Sequence, residues 1–258
     1  MSQYGSMSQS GSMSQSGPML AKIRKLLAKA EDAASSPQEA ETYTAKAAQL
    51  IADYGIDAAL LAADAPGSDR VADRVVKLDA PYARDKAQLL CDIALGLRCR
   101  AVLRRRSAPD TPTEFSVHLF GHESDLARTD LLFTSLLMQS TQRLATTPVP
   151  AWEHKAAFRR SWQAGFRMSI SRRLAEAEAR AQETAADRTT QGGRATGLVL
   201  ADRSVEVEAS LRGAYPLAQQ ARPRTLSGSG IRDGYLAGVQ ADIGETRLRG
   251  ARAALHSG

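Results

Sequence analysis

Residues 19–55 carry two helical repeats with stop and start signals between and after them, and a chain built this way must begin its fold with packed helices. Leu20, Ile23, Leu26, Leu27 and Ala30 recur at three- and four-residue spacing as one apolar stripe, while Lys22, Lys25 and Lys29 gather on the opposite side. Ser36 stands where an N-cap belongs, Pro37 takes the first helical position, and Glu39, three residues after the cap, can answer the free backbone amides. Ala40, Tyr43, Ala47, Leu50, Ile51 and Tyr54 mark the buried side of this second helix. Gly55 then supplies the left-handed residue expected to end it. A short turn at 33–35 joins the two helices, so an antiparallel hairpin over 18–62 is the expectation.

The stretch from Lys22 to Glu31, with Glu39, Ala40, Glu41 and then Ala48, Gln49, Leu50 in the second helix, resembles a bacterial and phage family of unknown function, DUF family 2786. Further segments are similar to actinobacterial members with the associated C-terminal domain. They are Pro81-Tyr82-Ala83, Leu97-Arg98-Cys99-Arg100, Ser135-Leu136-Leu137, Arg160-Ser161-Trp162 with Gly165-Phe166, and the run from Leu226 through Gly230, Asp233, Gly234 and Tyr235 to Ala237-Gly238. The resemblance therefore spans most of the chain after residue 18. It implies an architecture and an origin but no activity, so it names no catalytic residue.

At 258 residues the chain is long enough to bury a sizeable core, and aromatic residues make up only 5% of it. That core must therefore be built largely from Leu, Ala and Val between helices, and platforms for stacking single-stranded bases are scarce. The formal charge of +6 favours acidic partners such as nucleic acid or an anionic surface. A GC-rich genome also encodes Ala- and Arg-rich, Lys-poor chains, so the arginine excess carries less weight than its size. Cys91 and Cys99 form neither a CxxC pair nor a disulfide framework, and no apolar run is long enough to cross a bilayer. A reducing, cytoplasmic setting is expected, with no membrane partner.

Residues 1–17 repeat a Met-Ser-Gln unit with small polar residues between and have nothing to bury, which predicts a disordered arm. After the hairpin, 62–70 reads as a linker, and a second unit is expected over 71–250. Val71 to Leu78 suits a strand, and Pro81 opens a helix through Leu97. Cys99, Ala101 and Leu103 alternate with Arg98, Arg100 and Arg104 as a half-buried strand should. Phe115, Val117 and Leu119 alternate with Glu114, Ser116 and His118, giving a strand that pairs antiparallel with the preceding one across a turn at 107–112. Helical spacing resumes over 125–144, and again over 152–183 with Phe158, Trp162, Phe166, Ile170 and Leu174 as a buried ladder. A short strand at 198–201 and a helix over 204–215 follow. The fold class expected is α+β, predominantly helical: an N-terminal helical hairpin followed by a small antiparallel sheet packed with long helices.

Few residues have a spacing that fits known chemistry. Gly230, Gly234 and Gly238 fall four apart, which is wrong for a dinucleotide loop and right for one face of a helix that another helix approaches closely. Arg222 and Arg224, leading into that run, offer a weaker anion-binding alternative. Among the four histidines no pair has the spacing of a zinc motif. His118 and His122, with Glu123 and Asp125, flank a strand-to-helix turn, where helix capping is the simpler role and a metal or general-base site the sharper one. The densest positive cluster is Arg98, Arg100, Arg104, Arg105 and Arg106, with Lys22, Lys25 and Lys29 as a second patch, and these are the candidate nucleic-acid-binding residues. Solvation of an ordinary surface is the competing account of those charges. The expectation is thus a non-enzymatic accessory or regulatory protein of the cytoplasm that binds nucleic acid and needs no cofactor or metal. A homo-oligomeric scaffold using the glycine face, and a metal-dependent enzyme using His118, His122 and Asp125, are the alternatives.

Overall fold

Pro37 opens a long helix, α1 (Pro37–Asp64), in the computed structural model, which describes residues 21–23, 25, 26, 37–107, 109, 111–219 and 225–241. The expected stop at Gly55 is overturned. Ile56, Ala59 and Leu60 continue the buried face begun by Ile51 and Ala52, so packing carries the helix past the glycine. Gly55 serves another purpose there, because a Cβ at that position would overlap the guanidinium of Arg128. A mid-helix glycine costs about 1 kcal/mol relative to alanine, a cost this close approach accounts for. Residues 21–23, 25 and 26 are helical, and Ile23 is buried in the same core as Ile51. The hairpin turn at 33–35, the Ser36 cap and the arm at 1–17 lie outside the described residues.

The three strands are β1 (Val71–Leu78), β2 (Arg100–Arg106) and β3 (Glu114–His122). Their order is β1-β3-β2, with β3 antiparallel to both neighbours. The inner face carries Val76, Leu103, Val117 and Leu119, as the alternation requires, and faces the main core. Helix α2 (Ala83–Gly96) connects β1 to β2 and contributes Leu89, Leu90 and Ile93 to that core. Helix α3 (Glu123–Thr146) leaves β3 with no intervening loop. Helix α4 (Lys155–Thr184) buries the predicted ladder from Phe158 to Leu174, with Trp162 and Phe166 stacked at 5.5 Å. The molecule is therefore α+β and mostly helical.

Two further readings are corrected. Residues 198–201 are not a strand but part of helix α5 (Thr196–Ala214), whose Val199, Leu200, Arg203 and Val207 form a buried stripe at helical spacing. The 62–70 linker is shorter than expected, since α1 takes its first residues and Asp69 reaches across to α3. Helix α6 (Ile231–Gln240) lies on α4 through the predicted glycine face. Gly230, Gly234 and Gly238 meet the backbone of Phe158, Trp162 and Phe166, so this face packs within the chain.

Between α1, α3, α4 and α5 lies a buried ionic network. Arg128 is 0% exposed and donates to Asp125 at 2.7 Å and to Glu178. Glu178 also pairs with Arg98, and Asp125 with Arg203, which in turn reaches Asp69 at 2.8 Å. Three cations thus face three carboxylates, which is the condition for burying charge at all. Arg98 has φ 63, a left-handed conformation usually taken by glycine after a helix. That geometry, costing on the order of 1 kcal/mol, turns its side chain inward to Glu178.

Candidate nucleic-acid interface

The outer sheet face is a grid fixed by the strand register. Asp73, Phe120 and Arg100 make one cross-strand row; Val75, His118 and Val102 make the next; Lys77, Ser116 and Arg104 make a third. Helix α5 crosses the Phe120 and His122 end, where Arg100 donates to Glu208 at 3.0 Å and His122 Nε2 lies 3.5 Å from Glu206. The other end is open, with Val75, Lys77 and Arg104 exposed.

The predicted basic cluster divides along this line. Arg98 is largely covered against Glu178, and Arg100 is half-buried against Glu208, so both charges are paired. Arg104, Arg105 and Arg106 are exposed, with no ion pair among the described residues. Glu114 stands opposite Arg106 in register without closing a salt bridge. Lys22 and Lys25 are exposed, and Lys29 lies outside the described residues, as do Arg222 and Arg224. Sequence reading missed Lys77, whose membership of the Arg104 row depends on a pairing between strands distant in the chain.

His118 occupies the middle of the grid. Its Nε2 lies 2.8 Å from Asp73 Oδ2, and its Nδ1 lies 2.8 Å from the Tyr215 hydroxyl. The Tyr215 ring also meets Phe120 edge-on at 6.0 Å. Asp73 and Tyr215 were not singled out from the sequence, because neither sits at a telling spacing from His118. His122 is the residue before α3, yet its side chain does not cap the helix. Asp69 does, accepting from the Ser124 backbone N–H at 3.0 Å and from its hydroxyl at 2.6 Å.

The set proposed for a metal is not brought together. His118 and His122 stand four residues apart on an extended strand, about 13 Å by strand rise, and Asp125 belongs to Arg128 and Arg203. No group of three or more metal-ligating side chains occurs among the described residues. Burial pushes the Cys91 and Cys99 thiols up to about 12, which removes both as nucleophiles near neutral pH.

Asp69 provides a test of the network. Burial alone would raise its carboxyl, but the Ser124 hydrogen bonds and the Arg203 charge outweigh burial and hold it below the ordinary carboxylate value. The stability it contributes is therefore complete above a pH of about 4 and is lost as pH falls through the depressed folded value. Asp69→Asn is expected to lower stability at neutral pH and to flatten the decline in acid, measured by urea unfolding across pH. Parallel acid limbs in the two proteins would show that Asp69 is not linked to folding.

Residues 19–58 match the family described as a protein of unknown function (DUF2786). The match does not extend to the sheet or to the helices that follow it. No curated protein matches the chain, and no solved structure does. No described helix is long and apolar enough to cross a membrane.

Proposed function

We propose, with residues 19–58 as a DUF2786 segment, that the chain is a cytoplasmic accessory protein that docks on the phosphate backbone of nucleic acid through the open end of its outer sheet face. The observation that carries this reading is the cluster of Lys77, Arg104 and Arg106 on that face, with Arg105 at the same strand end on the opposite face, all exposed and without carboxylate partners among the described residues. Seven other arginines, Arg98, Arg100, Arg128, Arg167, Arg188, Arg194 and Arg203, stand against acids. Cations left free in such a company are available to an external anion. The grid offers no aromatic platform at that end, so phosphate contact without base readout is the expected mode.

Binding of this kind releases counterions, and the logarithm of affinity falls with that of salt by about 0.9 per neutralised phosphate on duplex DNA. The triple variant Arg104→Ala, Arg105→Ala, Arg106→Ala is expected to weaken duplex binding and reduce the salt slope by roughly 2 to 3, with folding unchanged because all three side chains are exposed. Anisotropy titration with a labelled duplex over a salt series measures both. Absence of binding by the wild-type chain at low salt, or an unaltered slope in the triple variant, would remove the proposal.

A further inference from the structure

A docking surface needs cations; it does not need the hydrogen-bonded chain that lies beside them. The Asp73 carboxylate accepts from His118 Nε2–H, which fixes the ring proton on Nε2 and leaves Nδ1 as an acceptor. The Tyr215 hydroxyl donates to that Nδ1 at 2.8 Å. Hydroxyl, imidazole and carboxylate in this order are the arrangement that activates a hydroxyl as a nucleophile. Burial does not force it. The Asp73 side chain is 60% exposed and Tyr215 is only half-buried, so water could satisfy both ends, whereas His118, at 14%, is held between them.

The position matters as much as the order. Along the strands, the His118 row and the Lys77–Ser116–Arg104 row are separated by about 7 Å, two strand residues. Tyr215 packs on the Phe120 side of His118, and Lys77 and Arg104 on the other side have side chains long enough to span that separation, so a phosphate they draw in can be carried to the Tyr215 hydroxyl. We infer that Tyr215 is the nucleophile of a phosphodiester transesterification on nucleic acid, an inference that rests on the docking reading above.

The step balances without a redox partner. Tyr215 Oη attacks phosphorus, and its proton passes to His118 Nδ1 as the Oη–P bond forms. The P–O bond to one sugar oxygen breaks, and that oxygen takes the proton back from the imidazolium. The product is a tyrosyl phosphodiester and a strand with a free hydroxyl end, and attack by that hydroxyl reverses the step. Lys77 and Arg104 face the charge that builds on the non-bridging oxygens. Asp73 is a positioning residue, since it touches only the imidazole.

The test incubates the full chain with end-labelled single-stranded and duplex oligonucleotides, denatures the mixture, and looks for label that migrates with the protein and is lost on protease digestion. The wild-type chain is expected to carry label, and Tyr215→Phe, which keeps the ring against Phe120, to carry none. His118→Gln should slow adduct formation about a hundredfold or more, the usual contribution of a general base. Asp73→Asn should slow it as well, with Asp73→Glu restoring part of the rate, a rescue that a purely structural carboxylate would not show. Label persisting in Tyr215→Phe would overturn the assignment. So would oligonucleotide retardation by the wild-type chain with no adduct, which leaves the docking reading standing, whereas neither retardation nor adduct removes both.

Discussion

Arg128→Ala is expected to lower the unfolding free energy by about 3–5 kcal/mol, enough to take much of the stability of an ordinary domain. The side chain is fully buried and holds Asp125 and Glu178 together. Its removal leaves two carboxylates in the interior with only Arg203 and Arg98 to balance them, and a cavity against Gly55. The loss is the cost of unpaired charge; it is not a measure of what ion pairs contribute, since a well-packed apolar replacement of the whole network could be as stable. Arg128→Lys separates the two ideas. It keeps one charge but loses the fork that reaches two acids at once, and it should recover only part of the loss. Urea unfolding of the three proteins decides it, and a loss below about 1 kcal/mol for the alanine variant would show that water or rearrangement satisfies the acids.

Gly234→Ala is expected to detach α6 from α4. A Cβ there would overlap the carbonyl oxygen, carbon and Cα of Trp162, atoms of a helix backbone that also carries the main aromatic ladder. Overpacking of a well-filled core usually costs about 1–3 kcal/mol through small side-chain shifts, and a clash with backbone on both sides leaves no such relief. The expected result is a loss at or above the top of that range, with new proteolytic cleavage within 225–241. Gly165→Ala, opposed to the Ile231 backbone from the other side of the interface, should behave alike. Gly213→Ala is the control: it lies in α5 with nothing near its absent Cβ, and should stabilise by a few tenths to about 1 kcal/mol. Equal behaviour of the 234 and 213 variants would mean that α6 does not dock through its glycines.

What the sequence revealed and what it concealed follow one physical distinction. Alternation at 114–119 and four-residue spacing at 158–174 report which side of a local element is buried, and both elements formed with the expected face inward. The glycine spacing at 230–238 likewise reported a close helix approach. Gly55 misled because a glycine that ends a helix and one that admits a guanidinium from another helix read alike until Arg128 is placed. Arg98 and Arg104 looked equivalent on one strand pattern, yet a left-handed turn sends the first to Glu178 and leaves the second in solvent. The chain from Asp73 through His118 to Tyr215 joins residues separated by 45 and 97 positions, and no local period encodes that meeting.

The central place of β3 has a consequence for how copies of this molecule meet. With β3 in the middle, the outer margins of β1 and β2 are left without a strand partner among the described residues, and bare amides and carbonyls on such margins invite another chain to add itself. On β2 that margin ends in Arg104, Arg105 and Arg106, so two molecules aligning there would crowd guanidinium against guanidinium. Stripping these residues, or masking them with concentrated salt, should therefore make aggregation easier while the fold itself stays intact.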